Sequence, residues 1–135
     1  IFQSFNLIPY LSGFENAHIG LQFSTQRRAR VDRPREVIKR LAKQWGLTTD
    51  LLDRKPTDLS IGQQQRIAAI RALIGQPELI IADEPTSALD PEATTLFMNQ
   101  LNDSINPQTQ AVVVVSHNPS ISPLFDQVIT LDNPQ

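Results

Sequence analysis

Two short, wholly apolar runs constrain the fold of this chain more than any other feature of its sequence. The runs are LIIA at 79–82 and AVVVV at 111–115, and polar residues interrupt neither. Short apolar runs rich in β-branched residues are typical of strands buried on both faces of a parallel sheet. Between them, Asp90 and Pro91 predict a helix start, and apolar spacing continues that helix to about Asn102. The second half of the chain is therefore predicted to hold a strand–helix–strand unit.

Helical periodicity dominates the first half of the chain. Apolar residues fall at helical spacing between Asp32, a predicted N-cap, and Gly46, a predicted stop. A second helix is predicted over about 61–74, where Ser60 and Gln63 match the S-x-x-Q capping box. The sequence therefore predicts an α/β fold with a mostly helical N-terminal part and a parallel-sheet C-terminal part.

Three segments carry weaker signals. Residues 1–30 show no strong period, and their structure is left open. Within them, the charged run RRAR at 27–30 is interpreted as a solvated turn or helix end. The run QVITL at 127–131 is a candidate for a further strand.

Length and composition exclude several classes of protein. A chain of 135 residues suits one domain with a single core. The net charge of −2 gives no reason to expect a nucleic-acid partner, and the absence of cysteine excludes disulfides and thiolate metal sites. No apolar run approaches the roughly 18–20 residues that span a bilayer, so membrane association is expected only through a partner. Because the chain opens at Ile1 with what reads as the inside of a domain, an N-terminal part is expected to precede it.

Polar residues follow both predicted strands. Asp83 and Glu84 come directly after the first, and Ser116 and His117 after the second. Ligands of open parallel sheets bind at the carboxyl ends of the strands, so Asp83 is a candidate for Mg²⁺ and Glu84 for activating a water. The alternative is that both acids cap the turn at Pro85. His117 is either a structural hydrogen-bonding residue or a contact for a terminal phosphate.

The stretch DLSIGQQQR at 58–66 places a glycine at the start of a predicted helix. A helix N-terminus offers free N–H groups and the positive end of the dipole, which suit a phosphate. Gly62 would let a ligand approach the backbone, and the Ser60 hydroxyl could donate to a phosphate oxygen. A capping box by itself is more often only structural.

Taken together, these stretches resemble the ATP-binding cassette (ABC) ATPase family. LSIGQ at 59–63 resembles its signature motif, LIIADE at 79–84 its Walker B motif with the catalytic glutamate, and SALD at 87–90 its D-loop. His117 is similar to the switch histidine, and Gln3 in FQSFNLIP to the Q-loop glutamine. The five motifs run in the family's order across nearly the whole chain.

The resemblance implies a partial P-loop NTPase fold that works with ATP and Mg²⁺. Residues 1–58 would form the Q-loop and the helical subdomain, which docks on transmembrane transporter subunits. Residues 59–135 would form the signature helix and the Walker B, D-loop and H-loop part of the α/β core. A second ATPase subunit would pair head to tail with this one. The protein would be cytoplasmic, held peripherally on the inner face of the cell membrane.

The same resemblance assigns catalytic and metal-binding roles. Asp83 would bind Mg²⁺, directly or through water, and Gln3 would also approach the ion. Glu84 would polarise the attacking water. His117 and Gln3 would sense the γ-phosphate.

Four further residues would act at the partner subunit. Ser60, Gly62 and Gln63 would bind the nucleotide held mainly by the partner, and Asp90 would contact the partner directly. The chain departs from the family pattern at Ile61, where the usual residue is glycine. It also contains no phosphate loop of the form G-x-x-x-x-G-K-S/T.

The sequence therefore favours the ATP-hydrolysing subunit of an ABC transporter, which couples MgATP hydrolysis to movement of a solute or lipid-like substrate. Without the phosphate loop, this chain by itself is expected to have little ATPase activity. One alternative is a DNA-repair or chromosome-maintenance ATPase. Such proteins place a long coiled coil between these motifs, whereas only residues 4–58 separate Gln3 from Leu59. A second alternative is a non-catalytic interaction module.

Overall fold

The computed structural model describes residues 1–131, in which helices precede a strand–helix–strand unit. Three short 3₁₀ segments, Thr49–Asp53, Pro56–Asp58 and Pro119–Leu124, lie in the connections. The remaining elements are, in chain order, α1 (Gly13–Gln22), α2 (Thr25–Ala29), α3 (Pro34–Gln44), α4 (Ile61–Leu73), β1 (Leu79–Asp83), α5 (Pro91–Asp103) and β2 (Ala111–Val115).

The two strands pair in parallel, which confirms the predicted strand–helix–strand unit. Their register runs from Leu79 opposite Ala111 to Asp83 opposite Val115. The carboxyl ends of β1 and β2 therefore lie side by side at one edge of the sheet. This edge carries the polar residues that follow both strands.

The sheet is buried on one face only, so the expectation of burial on both faces is wrong. Ile80 is 2% exposed and contributes to the core, whereas Ile81, which points the other way, is 57% exposed. On the exposed side, Val113 and Val115 of β2 are also about half exposed. The physical reason is that helical residues cover one face, and no second layer lies against the other among residues 1–131.

Helix α4 lies at the centre of the helical part. It begins with the predicted capping box, and its apolar face carries Ile67 and Ile70, both fully buried. Helix α1 packs along it, with Ala17 and Leu21 in the same hydrophobic core. The first turn of α1 has a capping box of its own, in a segment for which no structure was predicted.

Helix α3 begins one residue later than predicted. Its N-cap is Arg33, which makes no side-chain capping bond, and Pro34 occupies the first helical position. Because proline suits that position, the cap falls on the residue before it, and the predicted cap Asp32 stands outside the helix. The predicted stop is confirmed, since Gly46 follows the helix end with a left-handed φ of 67°.

The charged run at 27–30 forms the end of α2, which confirms the predicted helix end, but Arg27 is half-buried against the end of α4 rather than solvated. Its guanidinium donates to the backbone oxygens of Ile74 (2.9 Å), Ala72 (2.9 Å) and Arg71 (3.0 Å). The last carbonyl oxygens of a helix have no hydrogen-bond donor within the helix, and Arg27 supplies the donors here. Burial lowers the pKa of this guanidinium below its usual range.

The candidate strand at 127–131 is not a strand. Within residues 1–131, β1 and β2 pair only with each other, and no ladder reaches 127–131. Ile129 is 82% exposed and Leu131 88% exposed. An apolar run becomes a strand only where a neighbouring edge accepts its backbone hydrogen bonds, and this segment meets no such edge.

No helix in the described part of the chain is long enough and apolar enough to cross a membrane.

Candidate functional site

The candidate site begins where the chain leaves β1. Glu84 continues the ladder by donating its backbone N–H to the oxygen of Val115 at 2.8 Å. Its φ of 45° is left-handed, a conformation that is uncommon for residues other than glycine. Such local strain is typical of functional positions. The turn aims the Glu84 side chain back over the end of β2.

Glu84 and His117 are in direct contact. One carboxylate oxygen, Oε1, accepts the backbone N–H of His117 at 2.8 Å and lies 2.7 Å from the imidazole Nδ1. The other oxygen, Oε2, is 3.4 Å from the Ser116 hydroxyl. The Glu84 side chain is 19% exposed, whereas that of His117 is 81% exposed. The carboxylate is thus held in one orientation, and the far side of the imidazole faces solvent.

The first residues of the chain lie beside the end of β1. Asp83 donates its backbone N–H to the oxygen of Ile1 at 2.8 Å, and Gln3 follows in the turn that begins two residues later. The Asp83 side chain is exposed and makes no hydrogen bond within residues 1–131. This placement brings the segment of Gln3 to the same edge of the sheet as Glu84.

The residues present fit a magnesium ion only as partial ligands. No three His, Cys, Asp or Glu side chains cluster in the described part of the chain. Mg²⁺ bound with a nucleotide uses one or two carboxylates and takes its other ligands from phosphate oxygens and water. A single exposed carboxylate at Asp83 is compatible with that coordination.

The start of α4 forms the second group of candidate residues. The Ser60 hydroxyl oxygen accepts the Gln63 N–H at 3.3 Å, and Gln63 Oε1 accepts the Ser60 N–H at 2.9 Å. The hydroxyl hydrogen of Ser60 stays available for a phosphate oxygen. A Cβ at Gly62 would meet nothing within 4 Å, and Ile61 is 57% exposed. The surface at this helix start is therefore open to a ligand.

Asp90 caps α5. Its Oδ1 accepts the N–H of Ala93 at 2.8 Å, and Pro91 takes the first helical position. The predicted cap and proline are thereby confirmed. The residue is exposed, so its second carboxylate oxygen remains accessible.

The structure brings Glu84, Ser116 and His117 together and keeps Ser60 and Gln63 as a separate pair. Helix α4 connects these groups through a contact that was not predicted from the sequence. Gln65 is 2% exposed and donates from Nε2 to the oxygen of Pro85, the residue after Glu84. Its helical spacing to the buried Ala68 and Ala69 could have indicated that Gln65 is buried.

Comparisons with known proteins agree with the motifs. A family model described as ABC transporter matches residues 1–87. The macrolide export ATP-binding/permease protein MacB of Pasteurella multocida is 36% identical over 132 residues, covering 97% of this chain and 19% of that protein. The lipoprotein-releasing system ATP-binding protein LolD 2 of Caulobacter vibrioides is 34% identical over 132 residues, covering 97% of this chain and 56% of that protein.

Solved structures give the same result. A dimeric structure of MJ0796, a bacterial ABC transporter cassette, matches with a TM-score of 0.72 and 34% identity, covering 90% of this chain and 53% of that one. A dimeric MJ0796 structure in a post-hydrolysis state bound to ADP and Pi matches with a TM-score of 0.66 and 36% identity, covering 89% of this chain and 53% of that one. MJ0796 of Methanocaldococcus jannaschii is also a sequence relative, 36% identical over 131 residues, covering 97% of this chain and 56% of that protein.

The chain spans 19% to 56% of the length of these curated relatives. Its parallel strands with flanking helices correspond to part of the P-loop NTPase fold of ABC cassettes. Because the family model matches more than half of the chain and the fold agrees, the chain belongs to the ABC transporter family of ATP-binding proteins.

Proposed function

We propose that the complete protein is the ATP-hydrolysing subunit of an ABC transporter, which couples MgATP hydrolysis to movement of a solute or lipid-like substrate. The observation that carries this proposal is the contact between Glu84 and His117 at the carboxyl ends of two parallel strands. Relatives named for macrolide export and lipoprotein release favour a transporter over a chromosome-maintenance ATPase.

Glu84 acts as the general base in this proposal. Its carboxylate is fixed by the backbone N–H and the imidazole of His117, so it is preorganised to orient a water. The exposed side of the His117 ring is free to contact the terminal phosphate. Gln3, in the turn beside the end of β1, senses the same phosphate. Together these residues would allow hydrolysis only when the terminal phosphate is present.

The magnesium ion would neutralise charge that develops on the phosphate oxygens. Asp83 would hold it, directly or through water, with Gln3 approaching from the neighbouring turn. The exposed Asp83 carboxylate at the end of β1 supports this assignment.

A second ATPase subunit is proposed to complete the site from outside the chain. Ser60, Gly62 and Gln63 would bind the phosphate of a nucleotide held mainly by that partner, because they lie at an open helix N-terminus. Asp90 would contact the partner through its exposed carboxylate. The dimeric structures of MJ0796 support such a pairing.

The chain is proposed to consist of two functional segments that meet after residue 58. Residues 1–58 would dock on transmembrane transporter subunits, and residues 59–135 would carry the signature, Walker B, D-loop and H-loop functions. Docking of this kind would place the protein on the cytoplasmic face of the membrane.

In this proposal the complete protein carries a phosphate loop, which this chain does not contain, and the decisive experiment replaces Glu84 in that protein. Glu84→Gln keeps the size and most hydrogen bonds but cannot accept a proton, so turnover should fall roughly 10²- to 10⁴-fold while ATP binding is kept. Glu36→Gln, in the exposed first turn of α3, is the matched control and should leave turnover unchanged. For each variant, the steady-state ATPase rate measures turnover, and calorimetry measures ATP affinity. Unchanged turnover in Glu84→Gln would remove Glu84 from this role.

A further inference from the structure

Helix α4 reaches two segments of the candidate site with two side chains beyond its first turn. Gln65 contacts the turn that follows Glu84, and Arg71 contacts the turn that begins at Gln3. At a rise of about 1.5 Å per residue, Ser60 lies roughly 16 Å from Arg71 along the helix axis. One rigid element thus carries the open N-terminal surface and touches both turns.

The Gln65 contact is buried. Its amide Nε2 donates to the oxygen of Pro85, and the residue is 2% exposed. Pro85 follows Glu84, whose left-handed backbone directs its carboxylate toward His117. Because a buried carbonyl without a donor is costly, the Gln65 amide stabilises this unusual turn in its observed form.

The Arg71 contact holds a second turn of the same kind. Its guanidinium donates to the oxygen of Asn6 at 2.7 Å and to that of Phe5 at 2.5 Å. Both residues have left-handed backbones, with φ of 59° for Phe5 and 47° for Asn6. Partial burial lowers the pKa of Arg71, and an arginine side chain stays protonated in proteins. Two charge-assisted bonds therefore hold a strained turn that begins at Gln3.

We propose that Gln65 and Arg71 are positioning residues that make the Glu84 turn and the Gln3 turn move together with α4. This inference rests on the proposed function, because that function assigns catalytic roles to Glu84 and Gln3, the residues at the two turns. A ligand that binds at the N-terminus of α4 displaces the helix as a unit, since helix hydrogen bonds transmit motion along its axis. The two side chains then carry that displacement to the residues that orient the water and sense the phosphate.

The first test measures the contacts themselves by amide hydrogen exchange on this chain and requires no nucleotide. Arg71→Met should raise exchange about tenfold at the amides of Phe5 and Asn6, because a bond from a charged group is lost. Those amides otherwise donate within the turn. Arg66→Met, on the same helix, removes an arginine that makes no hydrogen bond within residues 1–131 and should leave this exchange unchanged.

Gln65→Leu should likewise speed exchange about tenfold at Ser87 and Leu89, whose amides close the turn after Glu84. Its control is Gln64→Leu, which loses a bond only to Leu59 at the start of its own helix. Urea midpoints of all variants separate a local opening from general loss of stability. Exchange that rises uniformly along the chain, or equally in the controls, would overturn the proposal.

The second test measures catalysis in the complete protein. Misplaced turns should lower kcat about 10- to 100-fold in Arg71→Met with little change in KM for ATP, and Arg71→Lys should restore part of it by reaching one carbonyl. A change in KM alone, or unchanged kcat despite local opening, would overturn the positioning role. A parent protein without ATPase activity would instead refute the proposed function, and the exchange data would still decide whether Gln65 and Arg71 hold the two turns.

Discussion

Gly20 of α1 packs directly against the end of α4, and alanine there should destabilise the protein. A Cβ at Gly20 would lie 2.2 Å from the backbone oxygen of Arg71 and 2.7 Å from Ile74 Cγ2. A carbonyl oxygen within a helix cannot rotate aside as a side chain can. To restore ordinary contact, α1 would have to move about 1 Å away from α4.

The cost can be worked from these contacts. Overpacking of this kind costs about 1–3 kcal/mol, and the oxygen of Arg71 also accepts a hydrogen bond from Arg27 that a shift would weaken. Alanine recovers up to about 1 kcal/mol because it favours the helix more than glycine does. With a further cost of about 1 kcal/mol for the weakened hydrogen bond, the net loss in free energy of unfolding should be about 2 kcal/mol for Gly20→Ala.

Urea unfolding followed by tryptophan fluorescence measures this loss. Trp45 is the single tryptophan of the chain and is fully buried, so its emission reports loss of the core. The midpoint for Gly20→Ala should fall by about 1 M urea. The matched control is Gly62→Ala, since a Cβ at Gly62 meets nothing within 4 Å, and its midpoint should stay the same or rise. A Gly20→Ala protein as stable as the parent would refute the packing argument.

Two further predictions concern single side chains. The backbone N–H and hydroxyl of Ser12 hold the pKa of Glu15 below its usual range, so its contribution to stability is present above the unfolded pKa of about 4.3 and lost as pH falls through the folded pKa. Urea midpoints for Glu15→Gln and the parent should therefore differ at neutral pH and converge in acid; a constant difference would contradict this. Arg27→Met should cost about 2 kcal/mol in urea unfolding because the end of α4 loses its donor, whereas the exposed Arg28→Met should have little effect, and equal losses would count against the capping role.

Local patterns predicted much of the fold. The capping box at Ser60, the proline-started helix after Asp90 and the stop at Gly46 all depend on neighbours within a few residues, and the structure contains each of them. The predicted cap at Asp32 was wrong because proline at the next helical start moved the cap by one residue. Even this error was local.

The site was predictable in position and remains a prediction in its roles. The polar residues after the two apolar strands placed Glu84 and His117 at one edge of a parallel sheet, and the structure brings their side chains into contact. The contacts of Gln65 and Arg71 had no such signal. Both side chains bind backbone carbonyl oxygens, those of Pro85 and Phe5, and every residue carries such an oxygen whatever its side chain.

By itself, the sequence determined helices α3, α4 and α5, the two strands with their parallel pairing, and the residue types at the strand ends. These follow from periodicity, capping and turn chemistry, which act over a few residues. Only the tertiary structure decided that the sheet is covered on one face, that 127–131 is not a strand, and that Arg27 and Arg71 bind backbone carbonyls far away in the chain. Those outcomes depend on which surfaces meet across long sequence separations, and backbone groups available for such contacts are alike at every residue except proline.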